Sequence, residues 1–343
     1  MDDGVNRIQP SLGVMLIAGM LEHHGHIVKI HDTALEGWDN RVIVDEKKKK
    51  VMIGQSDEDI KKVISNFSPH VVAISVLFSN FLNSAHNIAK LTKEVNKKIK
   101  VVLGGNHISN AAIDYQFGVK DPNSNLPDYI ENLENECIDF ALTGEGEKPI
   151  TQLVDIIINN KDNYSNVPGL IKKIGHKKYL INPKSEKHDV NLLPRPARHL
   201  VNMEAYFKIG AFQSAKARSN RVLSVMCSRG CPEKCTFCTT PQMWGSSVRW
   251  RNTENIMEEI NEDVKNFNIG EIQFLDDTLT VNKKNLYALS KELGKLGLPW
   301  CTPNGTKVNY HLKAQQEMYQ AMADGGCYQI TLACESGNQR VLN

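Results

Sequence analysis

The chain has 343 residues, with 41 Lys and Arg against 39 Asp and Glu and a formal net charge of +2 at pH 7. So even a balance creates no overall field toward nucleic acid or a membrane surface. Eight Cys in a chain this long are not a disulfide scaffold, because a core of this size holds without staples, and the length points to two domains. No secretory signal is visible. The apolar run Leu12–Leu21 is too short to span a bilayer, is broken by Gly13 and Gly19, and is followed by His23 and His24. A thiol-rich chain without a signal reads as cytoplasmic.

The first half alternates helices and strands. A helix is predicted over Ser11–His24, ending at Gly25, with a strand over Ile27–His31. The polar stretch Asp39–Glu58, with the lysine run Lys47–Lys50, reads as a solvated loop. Helical Asp57–Phe67 precedes Val71–Leu77, the continuous apolar run expected of a buried parallel strand. A helix follows over Asn83–Lys98, then a strand Lys100–Leu103 that ends in Gly104-Gly105, and then a long polar connection. Strand Phe140–Thr143 ends in Gly144-Glu145-Gly146-Glu147 and leads into the amphipathic helix Pro149–Asn159. Repeated βα units imply a doubly wound, Rossmann-like α/β domain with helices on both sheet faces. Ligands of such sheets bind beyond the carboxyl ends of the strands. Those ends carry Ser75 to Asn80 with Ser79 among them, then Gly104, Gly105, Asn106 and His107, then Thr143 to Glu147. Glycine lets a backbone approach a large planar ligand, and it equally serves a tight turn.

Between the halves, Pro168–Pro183 reads as a β-hairpin, and Leu192–Arg198 as a proline-punctuated linker. The second half returns to β/α alternation. Strand Val222–Met226 leads into a cysteine-rich loop, and helix Thr253–Asn266 precedes strand Glu271–Leu275, which ends in Asp276-Asp277. Helix Lys283–Leu296, a strand around Trp300–Thr302, Pro303-Asn304-Gly305, helix His311–Asp324, strand Gln329–Ala333 and Glu335-Ser336-Gly337 follow. Barrel enzymes place their chemistry at carboxyl strand ends, where these polar residues fall. Asp276 and Asp277 could hold hydroxyl or ammonium groups, and Asn304, Glu335 and Ser336 suit a ribose and an α-amino group. Helix capping is the competing reading for Asp277 and Asn282.

The loop itself is Cys227-Ser-Arg-Gly-Cys231-Pro-Glu-Lys-Cys235-Thr-Phe-Cys238. Cys231, Cys235 and Cys238 can converge on one iron–sulfur cluster, for which thiolates are the usual ligands. A four-iron cluster on three cysteines leaves one iron open to a substrate. Zinc is the rival, with Cys227 as a fourth ligand, although structural zinc sites usually use two separated pairs. Cys227 is expected to close its strand and pack inward. Cys137, Cys301, Cys327 and Cys334 are expected as small core residues.

The run Arg-Gly-Cys231-x-x-x-Cys235-x-Phe237-Cys238 resembles the signature of the radical S-adenosylmethionine (SAM) enzymes. Pro10-Ser-Leu-Gly13, His24-Gly25-His-x-Val28, Val102-Leu-Gly-Gly105-x-His107 and Thr143-Gly-Glu-Gly-Glu147 look like the cobalamin-binding domain fused to many of them. Phe-x-Asp-Asp, Thr-Pro-Asn-Gly and Glu-Ser-Gly are similar to segments of that same group. The resemblance covers nearly the whole chain. It implies a cobalamin-binding domain over 1–165, a hairpin and linker over 166–212, and a truncated TIM-type radical SAM barrel of four β/α units over 213–343.

The resemblance also implies a 4Fe-4S cluster on Cys231, Cys235 and Cys238, a SAM site including Phe237, Asp276, Asn304, Glu335 and Ser336, and cobalamin at Ser75, Ser79, Gly104, Gly105, Thr143, Gly144, Glu145 and Gly146. An Asp-x-His-x-x-Gly run is absent, so no histidine is expected to ligate cobalt from below. His107 reads as a surface loop residue. The implied reaction cleaves SAM reductively to a 5′-deoxyadenosyl radical, which takes hydrogen from an unactivated centre that methylcobalamin then methylates. A non-methylating cyclisation or rearrangement, and a non-catalytic iron–sulfur or zinc protein, are the alternatives. A small-molecule substrate and a flavodoxin- or ferredoxin-type electron donor are the implied partners. The two glycine turns are expected side by side, facing the cysteine loop across the domain boundary. Both ends read as truncated, lacking a first strand and the last two barrel units, so the isolated chain is expected to aggregate or to cleave SAM unproductively.

Overall fold

The computed structural model describes residues 8–45, 50–116, 132–176, 178–184, 187–210, 212–214 and 216–342. The chain divides into two units, one of residues Gly13–His188 and one of Asp189–Asn343 with the first twelve residues.

The unit Gly13–His188 runs through α1 (Leu12–His23), α2 (Thr33–Glu36), β1 (Arg41–Asp45), β2 (Lys50–Ile53), α3 (Asp57–Phe67), β3 (Val71–Ser75), α4 (Leu82–Val95), β4 (Lys100–Gly104), α5 (Asn106–Gln116), β5 (Phe140–Leu142), α6 (Glu147–Ile158), β6 (Leu170–Gly175) and β7 (Lys178–Ile181). Local chemistry sets the helix ends. Ser56 accepts the Asp59 N–H at the start of α3, whose first turn holds Asp57, Glu58 and Asp59 where the helix dipole favours acids. The main sheet has the order β3-β4-β5-β6-β7, with β3, β4 and β5 parallel and β6 and β7 antiparallel. Helices cover both faces. Val101, Leu103 and Ala141 pack with Ala85, Ala89 and Ile108, while Val102, Phe140 and Leu142 pack with Ile150, Leu153 and Val154. Burial on both sides is why these strands read as unbroken apolar runs rather than alternating ones.

Four sequence expectations change here. Ile27–His31 forms no strand, and Ile27 is 90% exposed. An extended, apolar-rich segment becomes a strand only with a ladder partner, which the described residues do not supply. The loop expected over Asp39–Glu58 contains an antiparallel hairpin, with Arg41 opposite Ile53 and Val42 opposite Met52. Lys47 to Lys49 lie outside the described residues. The polar connection after Gly105 opens as helix α5, and 117–131 lie outside the described residues. The hairpin expected between domains supplies β6 and β7, so the sheet is mixed rather than wholly parallel.

The other unit contains α7 (Met203–Ile209), β8 (Val222–Val225), β9 (Ser228–Arg229), α8 (Thr240–Trp244), β10 (Arg249–Trp250), α9 (Thr253–Phe267), β11 (Glu271–Phe274), α10 (Lys283–Leu296), β12 (Trp300–Lys307), α11 (Gln315–Asp324), β13 (Cys327–Ala333) and α12 (Gln339–Leu342). Its four-stranded sheet is parallel throughout, in the order β13-β12-β11-β8. One face is apolar. Leu223, Val225, Ile272, Phe274 and Trp300 cluster with Ile256, Ile260, Leu286, Leu289 and Met318. Trp300 stands edge-on to Phe274 at 5.3 Å and donates its indole N–H to Gly325 O at 2.7 Å.

Buried polar groups occupy neighbouring positions, and partners satisfy them, as burial requires. Glu271 accepts the N–H groups of Arg218 and Ser219, the Gln273 amide at 2.9 Å and the Tyr328 hydroxyl at 2.7 Å. Arg198, 3% exposed, pairs with Glu259 and Asp263 at 2.8 Å each and donates to Ser224 O. Arg251 joins Glu259 from the other side at 2.6 Å. Of the cysteines expected in the core, Cys301 is buried and Cys137 and Cys327 half-buried, but Cys334 is exposed because it follows the end of β13.

Candidate functional site

The chain leaves β8 directly into the cysteine loop, and each turn of that loop has an identifiable anchor. Cys227 is fully buried; its N–H donates to both Asp276 carboxylate oxygens at 3.0 and 3.1 Å, and its carbonyl accepts the Arg251 N–H. Ser228 donates its hydroxyl to Asp276 at 2.5 Å. Gly230 has φ +106°, and a Cβ there would stand 2.5 Å from Ser247 O, so only glycine fits between Arg229 and Cys231. Cys231 donates its N–H to Gly245 O, and its sulfur lies 3.6 Å from the Thr278 hydroxyl. Cys238 donates its N–H to Cys235 O. Glu233, between the first two cysteines, accepts the Lys307 ammonium at 2.5 Å and the Tyr310 hydroxyl at 2.8 Å.

All eight cysteines are free thiols. Cys231 and Cys238 are half-buried and Cys235 is exposed. Burial, followed by the neighbouring sulfurs of Cys238 and Cys231 and then Glu233 and Glu335, pushes the Cys235 thiol up. The sulfurs of Cys231 and Cys238 are therefore within electrostatic reach of Cys235. Burial pushes the Cys227 thiol far above its usual range, which keeps it protonated. Three accessible thiols beside a fourth that is sealed make a donor set for a soft metal centre with three protein ligands. Tyr310 belongs to this neighbourhood. Burial, the Glu233 bond, and then Cys231 and Cys235 raise its hydroxyl pKa.

The remaining residues nominated here fall into two sets. Asp276, 1% exposed, faces inward, where its carboxylate accepts from the Cys227 N–H and the Ser228 hydroxyl. Burial pushes it up to about 6, against the bonds from Ser228 and Cys227 that favour its charge. Burial does the same to Asp277. Asn282, not Asp277, caps α10 by accepting the Asn285 N–H. Asn304 donates to Leu275 O at 2.9 Å and Asp276 O at 3.1 Å and accepts from Gln213, so it ties strand ends together. Phe237 is 71% exposed, Glu335 is exposed at φ +52°, and Ser336 is half-buried with its hydroxyl accepting the Asn338 N–H.

In the unit Gly13–His188, the two glycine turns are adjacent at the carboxyl ends of β4 and β5. Gly144 donates its N–H to the Ser109 hydroxyl, and the Val76 N–H donates to Gly104 O. His107 opens α5 rather than lying in a loop, with Nδ1 3.0 Å from the Ser79 hydroxyl. Gly105 is glycine for internal reasons, since a Cβ would meet Val76 O at 2.7 Å. At Gly104 and Gly144 such a Cβ would meet only ordinary van der Waals contacts, Leu142 O at 3.9 Å and the Lys184 side chain at 3.8 Å, so no clash holds these positions to glycine. Ser75 and Ser79 are exposed, and so are Leu77, Phe78 and Phe81. Small polar groups, bare backbone and an apolar ledge together suit a large planar ligand such as a corrin.

Thr143 is buried, donating its N–H to Gly169 O. Glu145 also points inward. With Glu147 and His188 it forms a buried group whose ligand-type atoms lie within 4.8 Å of one another and could hold a metal ion. Sequence reading missed His188, which is distant along the chain; the two glutamates flanking Gly146 were the only trace. A cavity of about 690 Å³ bordered by Lys100, Asp139, Phe140, Tyr164 and Lys172 lies at the amino-terminal end of the same strands, away from the glycine turns.

Comparison with known proteins fits this geometry. Residues 5–121 match the B12 binding domain and residues 225–343 match the radical SAM superfamily. A B12-binding domain followed by a radical SAM domain defines the class. The chain belongs to the cobalamin-binding radical SAM enzymes, whose cofactors are cobalamin, a 4Fe-4S cluster and SAM. It is 32% identical to the cytidylyl-2-hydroxyethylphosphonate methyltransferase of Streptomyces wedmorensis, over 96% of this chain and 62% of that protein. It is 28% identical to an uncharacterized methyltransferase of Pyrococcus horikoshii, over 97% of this chain and 62% of the relative. The chain thus spans about three-fifths of the length of these relatives. The fold matches that of the radical SAM methyltransferase TsrM from Kitasatospora setae, solved with cobalamin and a 4Fe-4S cluster, at TM-score 0.66 and 16% identity, covering 98% of this chain and 61% of that one.

Proposed function

We propose that this chain carries the cofactor-binding and radical-generating parts of a cobalamin-dependent methyltransferase acting on an unactivated centre of a small molecule. The single observation that carries this reading is the cysteine loop, in which Cys231, Cys235 and Cys238 are accessible while Cys227 is sealed by Asp276 and Arg251. Cys231, Cys235 and Cys238 would hold the cluster. The glycine turns at Gly104 and Gly144, with Ser75 and Ser79 nearby, would receive the corrin. When bound, the cluster and SAM supply a radical that removes hydrogen, and cobalamin supplies the methyl group.

The protein's own contribution is positional. Gly230 shapes the loop, Asp276 holds its first turn, and Asn304 ties together the strand ends beneath. Phe237, Glu335 and Ser336 stand at the accessible side, suited to the methionine and ribose parts of SAM. Among the described residues no helix is long and apolar enough to cross a membrane. Free thiols around an oxygen-sensitive cluster favour the reducing cytoplasm and a flavodoxin- or ferredoxin-type donor.

Anaerobic reconstitution tests the reading. Wild type and Cys227→Ala are expected to bind the same iron, whereas Cys235→Ala loses it, and SAM is expected to yield 5′-deoxyadenosine and methionine. Iron lost from Cys227→Ala but kept by Cys235→Ala would refute the ligand assignment. A second reading, ring closure without methyl transfer, is favoured by relatives named as cyclases. The anaerobic magnesium-protoporphyrin IX monomethyl ester cyclase of Rubrivivax gelatinosus is 24% identical over 84% of this chain. Product mass separates the two readings, since only methylation adds a carbon.

A further inference from the structure

One side chain of the cysteine loop, Glu233, ties its accessible arc to the end of β12. Cys231 is fixed through its own N–H to Gly245, and Cys238 through its N–H to the Cys235 carbonyl. Cys235 is the exposed member of the three. Two residues before it, Glu233 crosses to the end of β12 and gives each carboxylate oxygen a separate donor, Oε2 to Lys307 at 2.5 Å and Oε1 to Tyr310 at 2.8 Å. Lys307 is itself fixed, as the last residue of β12, in register with Ala333 of β13. The loop therefore takes its position from the parallel sheet through a Lys–Glu–Tyr clasp.

Magnitude decides what the clasp is for. The Glu233 and Lys307 side chains are 25% and 44% exposed, and ion pairs so placed contribute little to global stability. Glu233 is two residues from both Cys231 and Cys235, and Lys307 pairs with its carboxylate, so this opposite-charge pair belongs to the loop that carries the sulfurs; the potential of an iron–sulfur cluster follows local charge and hydrogen bonding.

We propose that Glu233, held by Lys307 and Tyr310, is a positioning residue that fixes the Cys231–Cys235 arc and neutralises the charge next to the cluster. This rests on the assignment of the cysteines to a cluster. Removing the carboxylate would leave Lys307 uncompensated, and removing the ammonium would leave Glu233 uncompensated. The two losses therefore push a cluster potential in opposite directions. A contact that served packing alone would move it the same way in both variants or in neither.

Two measurements on the full chain test this. The first is hydrogen exchange of the metal-free protein, which needs no cluster. Glu233→Ala is expected to raise exchange across 232–238 several-fold, while the core strand Glu271–Phe274 keeps its protection. The second is a redox titration of reconstituted protein, with iron content as the loading control. Glu233→Gln is expected to raise the midpoint potential, Lys307→Met to lower it, and Tyr310→Phe to move it least. Unchanged loop exchange in Glu233→Ala overturns the positioning role. Potentials that stay put or shift together in the two charge variants overturn the electrostatic one. If wild type binds no iron, the cluster assignment fails, and the exchange experiment still decides the clasp.

Discussion

The two main sheets of this protein bear functional groups in opposite ways. In the unit Gly13–His188 the carboxyl ends of the strands present glycine backbone at Gly104 and Gly144, with the small hydroxyls of Ser75 and Ser79 and the exposed Leu77, Phe78 and Phe81 in the segment after β3. In the other unit they present side chains, with three thiols held by a lattice of named partners. A macrocycle can be cradled by shape, which many sequences provide. A metal centre needs particular atoms at particular spacings, so its motif is narrow. The contrast also holds for glycine. Gly230 and Gly105 are glycines because the protein's own backbone leaves no room, whereas at Gly144 a Cβ would meet only the Lys184 side chain, in ordinary contact at 3.8 Å.

The largest effect should come from Gly230→Ala. The methyl would overlap Ser247 O in a backbone conformation that side chains avoid, costing about 4 kcal/mol. Urea unfolding followed by tryptophan fluorescence measures it, and bound iron should fall in parallel. Gly105→Ala, set against Val76 O, should cost about 3 kcal/mol by the same two causes.

Third comes the charge on Asp276, which burial pushes from the ordinary aspartate value of 3.8 up to about 6. A raised carboxylate pKa means the folded state holds its proton longer than the unfolded state does. Its contribution to stability is therefore present at low pH, lost as pH rises from about 4 to about 6, and flat above. Relative to Asp276→Asn, wild type should lose on the order of 2–3 kcal/mol over that window. A difference that stays level with pH would show that the buried carboxylate is not strained by burial.

The smallest effect is Gly144→Ala, with about 1 kcal/mol of backbone strain and no clash. Cobalamin affinity, measured by absorbance titration, should nevertheless fall more in this variant than in Gly105→Ala. Equal costs for Gly105 and Gly144 would erase the distinction between glycines kept for the fold and a glycine facing a ligand.

The sequence carried the parts of this picture that depend on local chemistry. The cysteine spacing, the βα alternation, the Asn282 cap and the inward turn of Cys227 are read within a few residues of one another. What it hid depends on direction or on distant partners. Asp276 follows a strand, but nothing local says that its carboxylate turns back to Cys227. Ile27–His31 has the composition of a strand and lacks only a neighbour. The β1–β2 hairpin sits in a lysine-rich stretch whose polarity obscures its pairing. His188 meets Glu145 and Glu147 only after β6 and β7 have joined the sheet.

One interior feature bears on how the molecule behaves when warmed. Arg198, Glu259, Asp263 and Arg251 form a chain of charges inside the radical SAM unit, with Glu259 only 1% exposed. Stripping water from such ions is costly at room temperature, but hydration of charge weakens on heating, so the penalty shrinks as the hydrophobic contribution levels off. This unit should therefore lose less stability with rising temperature than its apolar burial alone would dictate. In the unit Gly13–His188 the central strands are packed by hydrocarbon on both faces, and the pair Lys93–Asp139 is less deeply buried, at 15% and 20% exposure, so this unit should gain less from the same effect on warming.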